Sequence, residues 1–131
     1  MKLNKLFLFT AILTLFGGVV IVLFPEFLMT FFTGRPMIDK APTLYIQWFG
    51  ALHICLSVLT WLARKLSDVQ ARRTVLITLL VYCICGVSVT GRFMFTGLLN
   101  NWGWFFPGHQ AVLGLVYAYF LFLRKDLIGN K

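Results

Sequence analysis

The chain has 131 residues, of which 60% are hydrophobic and 12% are charged, and its formal net charge at pH 7 is +8. A soluble domain carries about 25% charged residues and, at this size, has too large a surface to hide so many apolar side chains, so the composition excludes an ordinary soluble domain and favours an integral membrane protein. The positive charge does not predict nucleic-acid binding, because the basic residues stand in short clusters beside apolar runs instead of covering one soluble face.

Four apolar runs follow one another along the chain, at residues 6–24, 43–63, 74–93 and 104–123. Each approaches the roughly 20 residues that a helix needs to cross the hydrocarbon core of a bilayer. Backbone groups in hydrocarbon must find hydrogen bonds within their own segment, which predicts that each run is helical. We therefore predict an all-α fold, a four-transmembrane-helix bundle that forms one integral membrane domain over residues 1–131.

The connection between the first and second runs contains an aromatic stretch, at residues 26–32, that is too short to cross a membrane. Its composition is typical of a segment that lies in the membrane interface. We expect it to form an interfacial turn or a short helix on the outer surface.

Small residues recur at spacings of three and four within the runs, and this spacing predicts stripes along which helices pack closely. We find no convincing internal repeat. The small residues of the predicted stripes are Thr10, Thr14, Gly18, Gly50, Ser57, Gly86, Thr90, Ala111, Gly114 and Ala118.

Basic residues are divided unevenly between the two sides of the predicted bundle. Nine lie in the N-terminal tail, the loop between the second and third runs, and the C-terminal tail, whereas Arg35, Lys40 and Arg92 lie on the opposite side. Because cytoplasmic segments carry the excess of Lys and Arg, this split predicts that both termini are cytoplasmic. We expect a multi-pass protein of a bacterial-type cytoplasmic (inner) membrane, in contact with anionic lipid headgroups.

Polar residues within the runs can be placed by depth, counted at 1.5 Å per residue from the cytoplasmic charges. His53 falls about 16 Å from Arg64, near the membrane midplane, while four other polar residues gather in the outer third. Ionisable side chains inside a membrane usually face the protein interior, so we predict a cavity that opens toward the outer leaflet, with His53 at its floor. The predicted ligand-binding residues are His53, Arg92, His109, Tyr82, Gln47 and Glu26.

Two of these residues have a second interpretation. His53 either lines the cavity or is a neutral imidazole that bonds a neighbouring helix. Arg92 either pairs with Glu26, which lies at nearly the same depth, or extends from its helix end toward the lipid headgroups.

No motif for catalysis or metal binding stands out from the sequence. The two histidines differ in depth and have no carboxylate nearby on the same helix, which argues against a metal site. Cys55, Cys83 and Cys85 form no C-x-x-C pair, so the motif of disulfide-forming oxidoreductases is missing. We predict no catalytic residue and no metal ligand. No motif requires a cofactor. The sequence leaves open the binding of a quinone or lipid, and also the ligation of haem or chlorophyll by His53.

Four short stretches of the chain are Leu-Phe-Pro-Glu at 23–26, Phe-Gly-Ala at 49–51, Trp-Leu-Ala-Arg at 61–64 and Ala-Arg-Arg at 71–73. In these stretches the chain resembles small bacterial four-helix membrane proteins of the DoxX-like kind. The similarity covers most of the chain. Some DoxX-like proteins are subunits of membrane redox complexes that pass electrons to quinone, and the resemblance implies that role as one possibility.

The function that we predict from the sequence is that of a non-catalytic subunit, or of a binder of a lipid-like or quinone-like molecule. One alternative is a membrane enzyme that acts on a lipophilic substrate, with His53 or His109 as acid or base, but no second catalytic group can be assigned. The other alternative is a small transporter. We expect membrane lipids as partners, with other membrane subunits or a second copy of the chain left open, and no nucleic acid.

Overall fold

The computed structural model describes residues 3–36 and 41–123. Within these two ranges the chain forms five α-helices and one short 3₁₀ helix, so the predicted all-α fold is confirmed. The 3₁₀ helix, Asn101–Trp104, leads directly into the last α-helix. The α-helices are α1 (Leu3–Leu23), α2 (Pro25–Thr33), α3 (Ala41–Ala63), α4 (Val69–Phe95) and α5 (Phe105–Phe122).

Four of the described segments are long and apolar enough to cross a membrane: Leu3–Leu23, Pro42–Ala63, Val69–Phe95 and Asn101–Phe122. They coincide with the four predicted runs, and the largest difference is at the start of α4. That helix begins before its apolar run because Asp68 caps it, its carboxylate accepting the N–H of Ala71 at 2.8 Å. A cap of this kind satisfies one of the N–H groups that a helix start leaves unpaired.

The aromatic stretch at residues 26–32 lies in a short helix, which is one of the two forms that the sequence predicts for it. Pro25 stands in its first turn, where the missing N–H of proline removes no helical bond. Gly34 ends it with φ of 70°, and the Gly34 N–H donates to Thr30 O at 2.9 Å. Phe27 and Phe31, one turn apart, are exposed and stack with ring centroids 6.2 Å apart, which gives α2 an aromatic face.

The helices group into two compact units. Unit 1 is Met1–Lys65 and contains α1, α2 and α3, with α1 packed along α3. Unit 2 is Leu66–Lys131 and contains α4 and α5, which pack along each other. A single domain over residues 1–131 stays a prediction.

In unit 1, α1 and α3 approach closely where two glycines face each other. A Cβ atom on Gly18 would lie 2.7 Å from the carbonyl oxygen of Gly50 and 3.0 Å from Cβ of His53. A Cβ atom on Gly50 would likewise lie 3.0 Å from the carbonyl oxygen of Gly18. Only a residue without a side chain allows two helix backbones to come this near, so the predicted packing stripe of unit 1 is confirmed here.

In unit 2, the corresponding close approach is between Gly86 of α4 and the side-chain amide of Gln110 on α5. One turn further along α5, Gly114 faces Cys83. One prediction for α5 is wrong, because Ala111 is exposed. The contact face passes through Gln110 instead, one residue and therefore about 100° away around the helix. Its buried residues are Pro107, Gln110, Gly114, Tyr117, Phe120 and Leu121.

Candidate functional site

One end of unit 2 contains an open groove of about 470 Å³, formed where α4 ends and α5 begins. We call it the Arg92 groove after the single charged side chain among the described residues that line it. α4 and its C-cap supply six of those residues, and the start of α5, with its N-cap, supplies the other two. The lining residues are Val87, Ser88, Gly91, Arg92, Phe95, Thr96, Trp104 and Pro107.

The local sequence explains the shape of the groove. On α4 the lining residues recur three and four positions apart, which places them on one face of the helix. α4 stops at Thr96, and Gly97, with φ of 69°, turns the chain in a conformation that favours glycine. Asn100 then accepts the N–H of Trp102 at 3.0 Å and starts the 3₁₀ helix. This short turn brings Trp104 beside Phe95, with the two rings edge to face at 5.9 Å.

The interior of the groove is open at Gly91, where an added Cβ would have no other atom within 4 Å. Ser88 and Thr96 have hydroxyl groups whose protons are already donated in hydrogen bonds to the backbone of α4. Ser88 donates to Ile84 O at 2.8 Å and Thr96 donates to Arg92 O at 3.1 Å. The groove is therefore lined mostly by apolar side chains, with Ser88, Thr96 and the exposed Arg92 as its polar members.

Of the predicted ligand-binding residues in unit 2, only Arg92 lines this groove. Tyr82 hydrogen-bonds the side chain of Gln110 and belongs to the contact between α4 and α5. His109 lies one helical turn after Phe105, and its Nδ1 is 3.0 Å from the Phe105 carbonyl oxygen. Its ring stacks on that of Phe105 with centroids 5.2 Å apart. The depth count places both Arg92 and His109 in the outer third, but only Arg92 lines the groove.

The predicted residues of unit 1 are held mainly by backbone groups. Gln47 donates from Nε2 to Val22 O at 3.2 Å and so ties α3 to the end of α1. His53 is buried beside Gly18, and its Nδ1 lies 2.9 Å from the carbonyl oxygen of Phe49 on its own helix. Glu26 is exposed in the first turn of α2. The predicted cavity among all four helices and the predicted ion pair of Glu26 with Arg92 stay predictions.

A feature that the sequence analysis missed is shared by the two units. Each carries Trp-Phe-x-x-x-His in its second long helix, at 48–53 and at 104–109. In both, Nδ1 of the histidine is within 3.0 Å of the phenylalanine carbonyl one turn back. A carbonyl only accepts, so a hydrogen bond at this contact has Nδ1–H as its donor. The match could have been found from the sequence, but identity at three of six positions is easily overlooked among apolar residues.

Metal-binding side chains do not gather in the part of the chain that the structure describes. No three His, Cys, Asp or Glu side chains lie close enough there to hold an ion. The three cysteines are free thiols, with Cys83 buried and Cys55 and Cys85 exposed.

Comparison with known proteins gives a family but no characterised relative. No curated protein and no solved structure matches the chain. The resemblance to DoxX-like proteins gains no support from the comparisons and stays a prediction. A sequence model described as Domain of unknown function (DUF8292) matches residues 1–129, almost the full length, and the chain therefore belongs to that family.

Proposed function

We propose that this protein is a membrane-embedded binder of an amphiphile, a molecule with a long apolar part and one polar head, and that the Arg92 groove holds it. The observation that carries the proposal is a groove of about 470 Å³ with apolar walls and one guanidinium. Sites for small molecules have volumes of roughly 300–1,000 Å³ and combine mostly apolar linings with a few placed polar groups. The groove has a volume in this range and a mostly apolar lining, and it is open on one side.

The surroundings of the groove agree with a ligand that comes from the bilayer. Four apolar helices suggest a multi-pass membrane protein. Phe95, Trp102 and Trp104 are exposed at this end of unit 2, and tryptophan is enriched at the level of the headgroups. The charge split predicts that this end faces the outer leaflet. An amphiphile whose head lies at the interface and whose tail lies in the hydrocarbon could then enter sideways.

A variant that fills the groove tests this function. Gly91→Leu adds a side chain to open space, so it should leave the fold intact while it occupies the binding volume. The matched control is Gly17→Leu on α1, because an added Cβ there also has no atom within 4 Å. We would purify all three proteins in mild detergent and record native mass spectra.

The wild type and Gly17→Leu should carry a co-purified amphiphile, and Gly91→Leu should lose most of it. Equal retention by all three proteins would contradict binding in this groove. A wild type that purifies without any small molecule would contradict the binder role itself and leave the subunit role that the sequence also predicts. Thermal unfolding of each variant shows whether a loss of ligand reflects a loss of fold.

A further inference from the structure

We infer that the Arg92 groove binds the phosphate of an anionic phospholipid, with an acyl chain of the lipid lying against the apolar wall of the groove. This inference rests on the proposed function and names the class of amphiphile. The proposed function would also fit a ligand whose polar head is a quinone ring, which is neutral. The two classes of ligand therefore differ in the charge of the head.

Among the described residues of unit 2, Arg92 has no acidic partner. The described part of unit 2 contains one carboxylate, that of Asp68, and it caps the opposite end of α4. At 1.5 Å per residue, the two residues are about 36 Å apart along the helix. A guanidinium at membrane level is energetically costly unless an anion or water accompanies it. A phospholipid can supply that anion from the bilayer itself.

The shape of the guanidinium also favours a phosphate. Its planar fork presents five N–H donors and can bond two phosphate oxygens at once. Such bidentate, charge-assisted bonds are about twice as strong as bonds between neutral groups. A quinone carbonyl accepts hydrogen bonds but leaves the positive charge of Arg92 uncompensated.

The two hydroxyl oxygens of the groove indicate which anionic head fits. Ser88 and Thr96 both donate to carbonyl groups of α4 and retain lone pairs that accept. Ser88 lies one helical turn before Arg92 and Thr96 one turn after it, so either hydroxyl can accept a bond from a hydroxyl of a head whose phosphate is at Arg92. Phosphatidylglycerol has this combination and is the probe that we choose.

The apolar part of the lipid has a defined surface. Phe95 of α4 and Trp104, the last residue of the 3₁₀ helix, form an edge-to-face pair at 5.9 Å, and both line the groove. Val87 and Pro107 continue the wall, and the space beside Gly91 is unfilled. Because the groove is open, an acyl chain can continue from it into the bilayer.

Arg92 could instead reach any headgroup from the end of its helix, without a built site, and the experiment must separate this case. We would titrate the delipidated protein in detergent with phosphatidylglycerol, with zwitterionic phosphatidylcholine, and with a soluble ubiquinone analogue, and measure binding by native mass spectrometry. The variants are Arg92→Gln, Arg92→Lys and Gly91→Leu. The controls are Gly17→Leu for the added bulk and Arg35→Gln for a lost charge elsewhere.

We expect Arg92→Gln to weaken phosphatidylglycerol binding about tenfold, which corresponds to about 1.4 kcal/mol. Gly91→Leu should weaken it at least as much, although its arginine is intact. Arg92→Lys should fall between, because a lysine keeps the charge and loses the fork. Both controls should bind like the wild type.

Each contrary outcome overturns a different claim. Saturable binding of the ubiquinone analogue, with no preference for phosphatidylglycerol, would overturn the phosphate assignment and leave the proposed function. Loss of binding in Arg92→Gln but not in Gly91→Leu would show that Arg92 contacts lipid without the groove. No binding of any probe would overturn the proposed function as well.

Discussion

Two neighbouring glycines of α1 have opposite surroundings, although the sequence presents them as one pair. An added Cβ at Gly17 would have no other atom within 4 Å, whereas one at Gly18 would lie 2.7 Å from the carbonyl oxygen of Gly50. That oxygen belongs to the backbone of α3, so the contact cannot be relieved by rotating a side chain. The apolar run predicts that both residues lie in a helix, but only the packing of α1 on α3 distinguishes them.

We therefore predict that Gly18→Ala destabilises the protein while Gly17→Ala does not. Overpacking a close contact costs about 1–3 kcal/mol, whereas alanine in open helical space gains about 0.5–1 kcal/mol over glycine. Unfolding by a denaturing detergent, titrated into the protein in a mild one, measures the difference. Equal stability of the two variants would mean that the backbones of α1 and α3 do not approach as closely at Gly18 as the structure shows.

At the scale of elements, the contact between α4 and α5 depends on a buried polar group. Gln110 is 2% exposed, and its amide lies directly against Gly86. Its side chain hydrogen-bonds Tyr82, while Oε1 has no partner among the described residues. A buried acceptor without a bond is destabilising by about 1–3 kcal/mol. The two helices therefore fit together here by shape more than by hydrogen bonding.

A double-mutant cycle between Gly86 and Gln110 tests this contact. Gly86→Ala should destabilise unit 2, because the new methyl group meets the Gln110 amide. Gln110→Ala removes that amide, so the double variant should be more stable than the sum of the two single effects predicts. Contacting residues couple by about 0.5–3 kcal/mol. Additive effects, measured by the same unfolding titration, would place the amide elsewhere.

The elements themselves could be predicted well from the sequence. Hydrophobic length alone locates four helices, and the short aromatic stretch after Pro25 locates a fifth. The sequence also contained the cap at Asp68, which moves the start of α4 ahead of its apolar run. Local chemistry of this kind is readable because it acts within one turn of helix.

The candidate site could be predicted only in part. Arg92 stands out because an arginine is rare in an apolar run. The wall that faces it could not be predicted, because Trp104 reaches α4 only through the turn at Gly97 and the 3₁₀ helix after it. Depth counting uses only the rise per residue along a straight helix. It places His109 and Arg92 in the same outer third and cannot tell which side of α5 faces the groove. That is a property of helix rotation, which packing decides.

At the scale of the whole molecule, the direction of the helices in the membrane determines where the Arg92 groove lies. Nine basic residues on one side and three on the other predict cytoplasmic termini. With that orientation, α4 runs outward and its last turn, with Arg92, meets the outer leaflet. The opposite orientation would expose the same groove to the cytoplasmic leaflet, which is the richer one in anionic lipid in many cells.

Cysteine labelling in intact cells determines the orientation directly. Cys55, Cys83 and Cys85 would first be replaced by alanine, and single cysteines then introduced at Pro36, Asn101 or Gln70, all three of which are exposed. Pro36 is a better reporter than Gly34, because φ of 70° at Gly34 would strain a cysteine. With both termini in the cytoplasm, a membrane-impermeant maleimide should label Pro36→Cys and Asn101→Cys in intact cells, and should label Gln70→Cys only after lysis.

The reverse labelling would place the groove in the cytoplasmic leaflet. Equal labelling of all three proteins in intact cells would mean that the loops are not separated by a membrane.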